Sequence, residues 1–370
     1  MDFIKGVDVS TMLELQELGA RYYDGGEEKP LLSILKSYGV NSVRLRLYTD
    51  PYGPDREPYG AGGNDLPRTI EMAHMVQEAG LSLLLDFQYS DFWADPGKQI
   101  KPKAWADLSY PELVRKVEDY TRSVLRDMRS DGIRPDLIQI GNELSNGLLW
   151  EDGRVPAYDR IAALVSAGIR GARECDETIP LMIHLDDGGN NTLYRTWFDN
   201  YFDNRGEDFE LIGLSYYPFW HGPLQGLSDN MADIAKRYDK DLIVAEVSTG
   251  FTTEDYRPRE KAPLATLKGM ATKPALVEKV EYPLTPEGQK AFLSDLFNRI
   301  DAVPDHRCRG FYYWEPAWIP VPGSGWATPA SLAYMHDPGP CGNEWANQAL
   351  FDYDGNALPA LSVIKDFRGI

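Results

Sequence analysis

Eight short apolar runs are spaced along this chain, at residues 3–10, 40–48, 81–87, 137–143, 181–185, 211–217, 242–247 and 310–314. Several do not alternate between polar and apolar, the pattern of a parallel strand covered on both faces. Between and after them come segments with helical spacing, at residues 29–38, 67–80, 111–131, 156–175, 193–202, 231–238, 286–300 and 359–367. Within 111–131, for example, Leu113, Val117, Tyr120, Val124 and Met128 form one stripe. Eight strands, each followed by a helix or by a loop and a helix, predict a closed (β/α)8 TIM barrel rather than an open doubly wound sheet. The chain carries no glycine-rich dinucleotide turn and no Walker loop. Its 370 residues, 43% hydrophobic, suffice for a large core, and residues 1–370 are expected to form one barrel domain. Long loops after the strands are expected to shape an open groove. The long stretch at 251–283 reads as an insertion over the barrel mouth.

In such a barrel the chemistry sits at the C-terminal ends of the strands. Polar and aromatic residues collect there: Arg46, Asp86, Glu143, Asp186, Tyr216, Glu246 and Trp314. A buried charge must be paired or used, so two glutamates ending the apolar runs at 137–143 and 242–247 draw the most weight. Strands four and seven lie nearly opposite in an eight-strand ring. Carboxyl groups meeting at ~5 Å suit a glycoside hydrolase that retains configuration, and ~6.5–9.5 Å suits inversion. One carboxyl must keep its proton and the other must stay ionised, which requires different surroundings. Arg46 or a tyrosine hydroxyl would hold the ionised one, with Tyr216 placed to bond Glu246. Asn142 would donate to a sugar hydroxyl, and Trp314 would form a floor under the ring. Arg44 and Arg46 alternate onto one face of strand two and need anionic partners, in an ion pair or in the pocket. The loop at 88–96, with Asp91 and Trp93, is too polar and aromatic to be a mere connection.

Other function classes are disfavoured. The charge of −19 repels nucleic acid and anionic membranes. Only five histidines exist, without a His-x-His pair, so no metal site or other cofactor is expected. Of these, His184 reads as a hydrogen-bonding wall residue. Three cysteines cannot make a disulfide scaffold, although Cys308 and Cys341 flank the last strand and its loop and are candidates for one bridge. No run is long and apolar enough to span a membrane. No leader precedes the first strand, so either the protein is cytosolic or a leader has been removed.

Several stretches together resemble glycoside hydrolase family 53, the endo-β-1,4-galactanases. They are residues 6–10 (GVDVS), 43–46 (VRLR), 86–96 (DFQYSDFWADP), 139–143 (QIGNE), 312–318 (YYWEPAW) and 347–352 (NQALFD). Asn142-Glu143 alone points only to the wider clan of barrels with two catalytic glutamates, whereas the run at 86–96 is far more specific. The resemblance implies Glu143 as acid/base and Glu246 as nucleophile, with Arg46, Asn142, Tyr216 and Trp314 around the cleaved bond. It implies β-1,4-galactan, the side chain of type I arabinogalactan in pectin, as a polymer substrate cut internally. Trp93, Trp220 and Trp318 are then candidate groove walls, and Asp91, His184 and Asp186 further substrate-binding candidates. A monomer outside the cell or at its surface, with its leader removed, is the matching expectation. Some bacterial members of the family hold calcium in the loop after strand seven through closely spaced Asp, His and Asn. Residues 252–261 here lack the His and Asn, so no calcium is expected there. A xylanase, mannanase or cellulase of the same clan is the alternative.

Overall fold

The computed structural model describes residues 3–257, 269–270 and 273–368. Eight parallel strands close into a barrel: β1 (Ile4–Asp8), β2 (Ser42–Leu47), β3 (Ser82–Phe87), β4 (Leu137–Ile140), β5 (Leu181–Leu185), β6 (Leu211–Tyr216), β7 (Asp241–Val247) and β8 (Cys308–Trp314). They pair in chain order, and β1 pairs with both β2 and β8 to shut the ring. This is the TIM barrel expected from the eight runs.

Alternation along the strands sorts the side chains into two populations. Val43, Leu45, Leu83, Leu85, Ile138, Ile140, Ile183, Leu185, Ile212 and Leu214 face outward and pack with the helices in the main core. Their neighbours face the axis. Ile4, Leu84, Leu137, Met182, Leu211, Ile243, Ala245 and Tyr312 form a separate apolar cluster inside the barrel. Further along the strands the interior turns polar, with Asp8, Arg44, Asp86, Gln139 and His184, all fully buried. The barrel is thus plugged by apolar side chains toward its N-terminal end and by an ionic layer beneath its C-terminal mouth. β3, β4 and β5 supply both by advancing one pleat, from Leu84, Leu137 and Met182 to Asp86, Gln139 and His184.

The helices follow the expected segments with one shortfall. The helix Leu224–Tyr238 starts seven residues before the expected 231, because Leu224 and Leu227 bury their side chains although Gly226 and the polar residues after it weaken the local signal. Among the described residues, three short helices, Met12–Glu17, Pro274–Val277 and Pro329–Met335, were not foreseen. In the segment expected over the mouth, residues 258–268 and 271–272 lie outside those described, including part of the 252–261 loop. In its described part, Met270 and Leu276 pack with Tyr217 and Phe219. None of Cys175, Cys308 and Cys341 is in a disulfide, so the considered bridge is not made. Among the described residues, no helix is long and apolar enough to cross a membrane.

Candidate active site

At the C-terminal end of the barrel is a cleft of about 380 Å³. Its floor carries Asn142, Glu143 and Glu246, and among the described residues six tryptophans line it: Trp93, Trp220, Trp314, Trp318, Trp326 and Trp345. Trp314 stands near the centre, 6.4 Å from Trp93 and 5.7 Å from Trp318 between ring centroids, and edge-on to Tyr217. Trp220 and Trp345 meet edge-on at 5.1 Å, and Trp220 keeps half its surface exposed. Aromatic faces beside buried carboxyls make a site suited to a neutral, ring-shaped polar ligand such as a sugar.

Two local distortions aim the glutamates. At the end of β4, Gly141 and Glu143 both adopt the left-handed conformation, with φ of 77° and 50°. For Glu143 this backbone carries strain, the kind that gathers at functional sites. It turns Asn142 down toward Arg44 and Glu143 toward β6. On β7, simple alternation would point Glu246 outward, since Leu242 and Val244 face the helices. The β6–β7 register shifts there: Leu214 pairs with Val244 and Ser215 with Glu246, leaving Ala245 as an extra residue. This bulge turns Glu246 into the barrel and returns Val247 to the outer core.

The two carboxyls are both nearly buried but have different neighbours. Glu246 Oε1 lies 2.8 Å from Arg44 Nη1, and its Oε2 accepts from the Tyr217 hydroxyl at 2.7 Å. Arg44 also holds Asp8 (2.7 Å) and Asp86 (2.9 Å), and donates to Asn142 Oδ1 (2.8 Å). Among the described residues, no cation pairs with Glu143. Its Oε1 is hydrogen-bonded to the Ser215 hydroxyl at 2.6 Å. Burial first, then the charges of Glu246 and Asp186, push its carboxyl well above the usual range. Burial likewise raises Asp186 to about 6, and Asp86 and Glu315 to about 7.

The structure corrects several expectations. Tyr216 does not bond Glu246. It faces outward, stacks on Phe292 and donates to Gly222 O at 2.6 Å. Strict alternation along β6 puts Ser215 and Tyr217 inside instead. Arg46 holds neither Glu143 nor Glu246: one pleat above Arg44, it pairs with Asp8 (3.3 Å) and Glu315 (2.5 Å), and its guanidinium lies 4.5 Å from the Trp93 ring centroid. It still lines the cleft. Asp91 is buried away from the cleft, accepting from Lys103 N (2.7 Å) with Lys103 Nζ at 3.1 Å, so it ties its loop rather than meeting a ligand. His184 is fully buried behind Asn142 and Ser215. Trp93, Asn142, Asp186, Trp220, Trp314 and Trp318 do line the cleft.

Some site residues were missed. Alternation alone would have found Ser215 and Tyr217. Trp326 and Trp345 lie in the loop after β8, where no periodic signal marks them. Asp95 was quoted in its loop but not singled out. Among the described residues, no group of three His, Cys, Asp or Glu side chains is placed to hold a metal ion.

The comparisons agree with this geometry. The model of glycosyl hydrolase family 53 matches residues 4–364. An endo-β-1,4-galactanase of Bacillus subtilis is 34% identical, over 98% of this chain and 86% of its own. The arabinogalactan endo-β-1,4-galactanase A of Aspergillus niger is 32% identical over 85% of each. The family 53 catalytic domain of Ignisphaera aggregans superposes with a TM-score of 0.89 at 39% identity, covering 98% of this chain and 95% of that one. A β-1,4-mannanase at 15% identity and a TM-score of 0.51 shares the fold alone. With a family model spanning it almost end to end and relatives above 30% identity along most of its length, the chain belongs to glycosyl hydrolase family 53.

Proposed function

We propose that this chain is an endo-β-1,4-galactanase that cuts galactan, including the side chains of type I arabinogalactan in pectin, with retention of configuration. Glu143 acts as acid/base and Glu246 as nucleophile. The observation that carries the reading is the unequal pair: two buried glutamates in one cleft, one beside Arg44 and a tyrosine hydroxyl, the other beside carboxylates and a serine. Glu143 protonates the departing glycosidic oxygen while the Glu246 carboxylate attacks the anomeric carbon. Water then attacks that carbon, the bond to Glu246 breaks, and Glu143 takes up the water proton. Arg44 and Tyr217 hold Glu246 in place for attack. Asn142, held by Arg44 and by Ala94 O, presents its amide beside the reacting sugar. The tryptophan-lined cleft supports a chain lying across the mouth, with Trp93, Trp220 and Trp318 as walls. A polymeric substrate of this kind places the enzyme outside the cell.

A timed digest tests the reading. Linear galactan should yield a spread of oligomers early, and the first-formed reducing ends should be β by proton NMR. Faster release from xylan, mannan or cellulose would overturn the substrate, a single short product from the start would overturn internal cutting, and α ends would overturn retention.

A further inference from the structure

His184 lies behind the cleft floor, yet it touches Asn142 and Ser215, the hydrogen-bond partner of Glu143. Its Nδ1 is 2.8 Å from Asn142 Oδ1 and its Nε2 is 2.9 Å from Ser215 Oγ, which is in turn 2.6 Å from Glu143 Oε1. Partners set the direction of each bond around this chain of groups. Asn142 Nδ2 donates to Ala94 O, so its Oδ1 is the atom facing the histidine, and that oxygen already accepts from Arg44. Gln139 Nε2 has two hydrogens, and its nearest acceptors are Asp86 Oδ1 (2.7 Å) and Gly141 O (2.9 Å). Asn142 Oδ1 follows at 3.0 Å, and His184 Nδ1, at 3.2 Å, is its most distant contact. A bare Nδ1 would therefore press a lone pair against the Asn142 oxygen, so Nδ1 carries a hydrogen. Burial first, then the charge of Arg44, pushes His184 well below its ordinary pKa, which leaves the ring neutral and Nε2 bare. A bare Nε2 accepts from the Ser215 hydroxyl. A Ser215 hydroxyl that donated to Glu143 Oε1 would favour the carboxylate, but the hydrogen held by His184 Nε2 is then no longer available for that bond, and the contact at 2.6 Å is kept only when a protonated Glu143 donates to Ser215.

We propose that His184 is a positioning residue that, through Ser215, selects the protonated form of Glu143 and so keeps it ready as an acid. The inference rests on the reading of Glu143 as the acid/base. When Glu143 gives its proton to the leaving oxygen and the glycosidic bond breaks, its Oε1 and His184 Nε2 compete for one hydroxyl hydrogen. The conflict ends when attacking water returns a proton to Glu143 as the bond to Glu246 breaks. Other groups also face the carboxyl: Glu246 from β7, Asp186 after β5, Asp95 from the loop after β3, Tyr217 after β6 and Tyr194 from the helix Asn191–Asp203. The anionic ones act in the same sense as His184, so the test leaves them in place.

Nitrogen-15 NMR of the intact protein labelled at histidine reads the ring directly, with the His184 signals assigned by their loss in His184→Gln. A neutral ring protonated at Nδ1 at pH 6 is expected; protonation at Nε2, alone or on both nitrogens, overturns the proposal. The second arm is the alkaline limb of kcat/KM on galactan, which reports the acid in the free enzyme. In His184→Gln the amide turns the serine hydroxyl toward Glu143, and the limb should move down by about one pH unit. In a Ser215→Ala background the same change should move it no further. An unmoved limb, or an equal shift with and without Ser215, overturns the proposal even if both variants lose stability. Full galactan activity in Glu143→Ala would instead sink the underlying assignment, whatever the NMR shows.

Discussion

Glu143 and Glu246 are the same residue type at nearly the same depth, yet the barrel treats them differently. Glu246 sits on a bulged strand with a guanidinium on one oxygen and a phenol on the other. Glu143 sits on a left-handed turn among carboxylates, with a serine as its hydrogen-bond partner. In the proposed mechanism, identical chemistry is divided into acid and nucleophile by neighbours from β2, β5 and β6. The sequence around each glutamate does not carry that division.

The sharpest break of the comparison is to remove each carboxyl in turn. Glu246→Ala and Glu143→Ala should each lose galactan turnover by on the order of 10⁴-fold or more. With an aryl β-galactoside whose leaving group needs no acid, Glu143→Ala should still form the glycosyl-enzyme and Glu246→Ala should not. Added azide should give a β-galactosyl azide from the first and an α-galactosyl azide from the second, and swapped products would reverse the roles.

Next come the partners. Arg44→Met strips the cation from Glu246, Asp8 and Asp86 together and should destabilise the fold by about 3–5 kcal/mol in denaturant unfolding. Ser215→Ala, which strips the partner of Glu143, should cost only about 1 kcal/mol. Equal losses would mean that the two glutamates are held alike.

Tyr217→Phe removes a bond to a charged group and should lower kcat by about 10- to 100-fold, from about 1.5–3 kcal/mol. Tyr216→Phe, which loses only a bond to a backbone carbonyl, should leave kcat and its pH profile nearly unchanged. The reverse pattern would restore Tyr216 to the site.

The smallest effect is expected at Asp186. Its charge, present above about pH 6, raises Glu143. Asp186→Asn should therefore lower the Glu143 pKa and move the alkaline limb of activity to lower pH, by about half a unit. A shift to higher pH would contradict the sign of that interaction.

Much of this architecture was legible along the chain. Each barrel strand overlaps an apolar run, and seven of the ten residues named for substrate contact line the cleft. The errors share a cause. Tyr216 and Tyr217 are adjacent and alike, and only the direction of the pleat separates them. Arg44 and Arg46 share a face, and only their heights against β1, β7 and the turn after β8 decide which carboxylates each can reach. Asp91 lies in the same telling loop as Trp93 but serves Lys103. Trp326 and Trp345 sit in a stretch with no period, so nothing local placed them at the mouth.

The amino-acid order alone determined the ring of eight strands, because burial on both faces and helical spacing between strands leave one closed solution. It also marked the strand ends as the place of chemistry, since charged groups cannot end apolar runs without partners or work. The bulge at Ala245, the left-handed turn at Glu143 and the direction of hydrogen bonds through Ser215 and His184 were decided only by the closed barrel. Each depends on groups from strands far apart in the chain that meet only when the ring shuts, and there the local electrostatics decide which carboxyl keeps its proton.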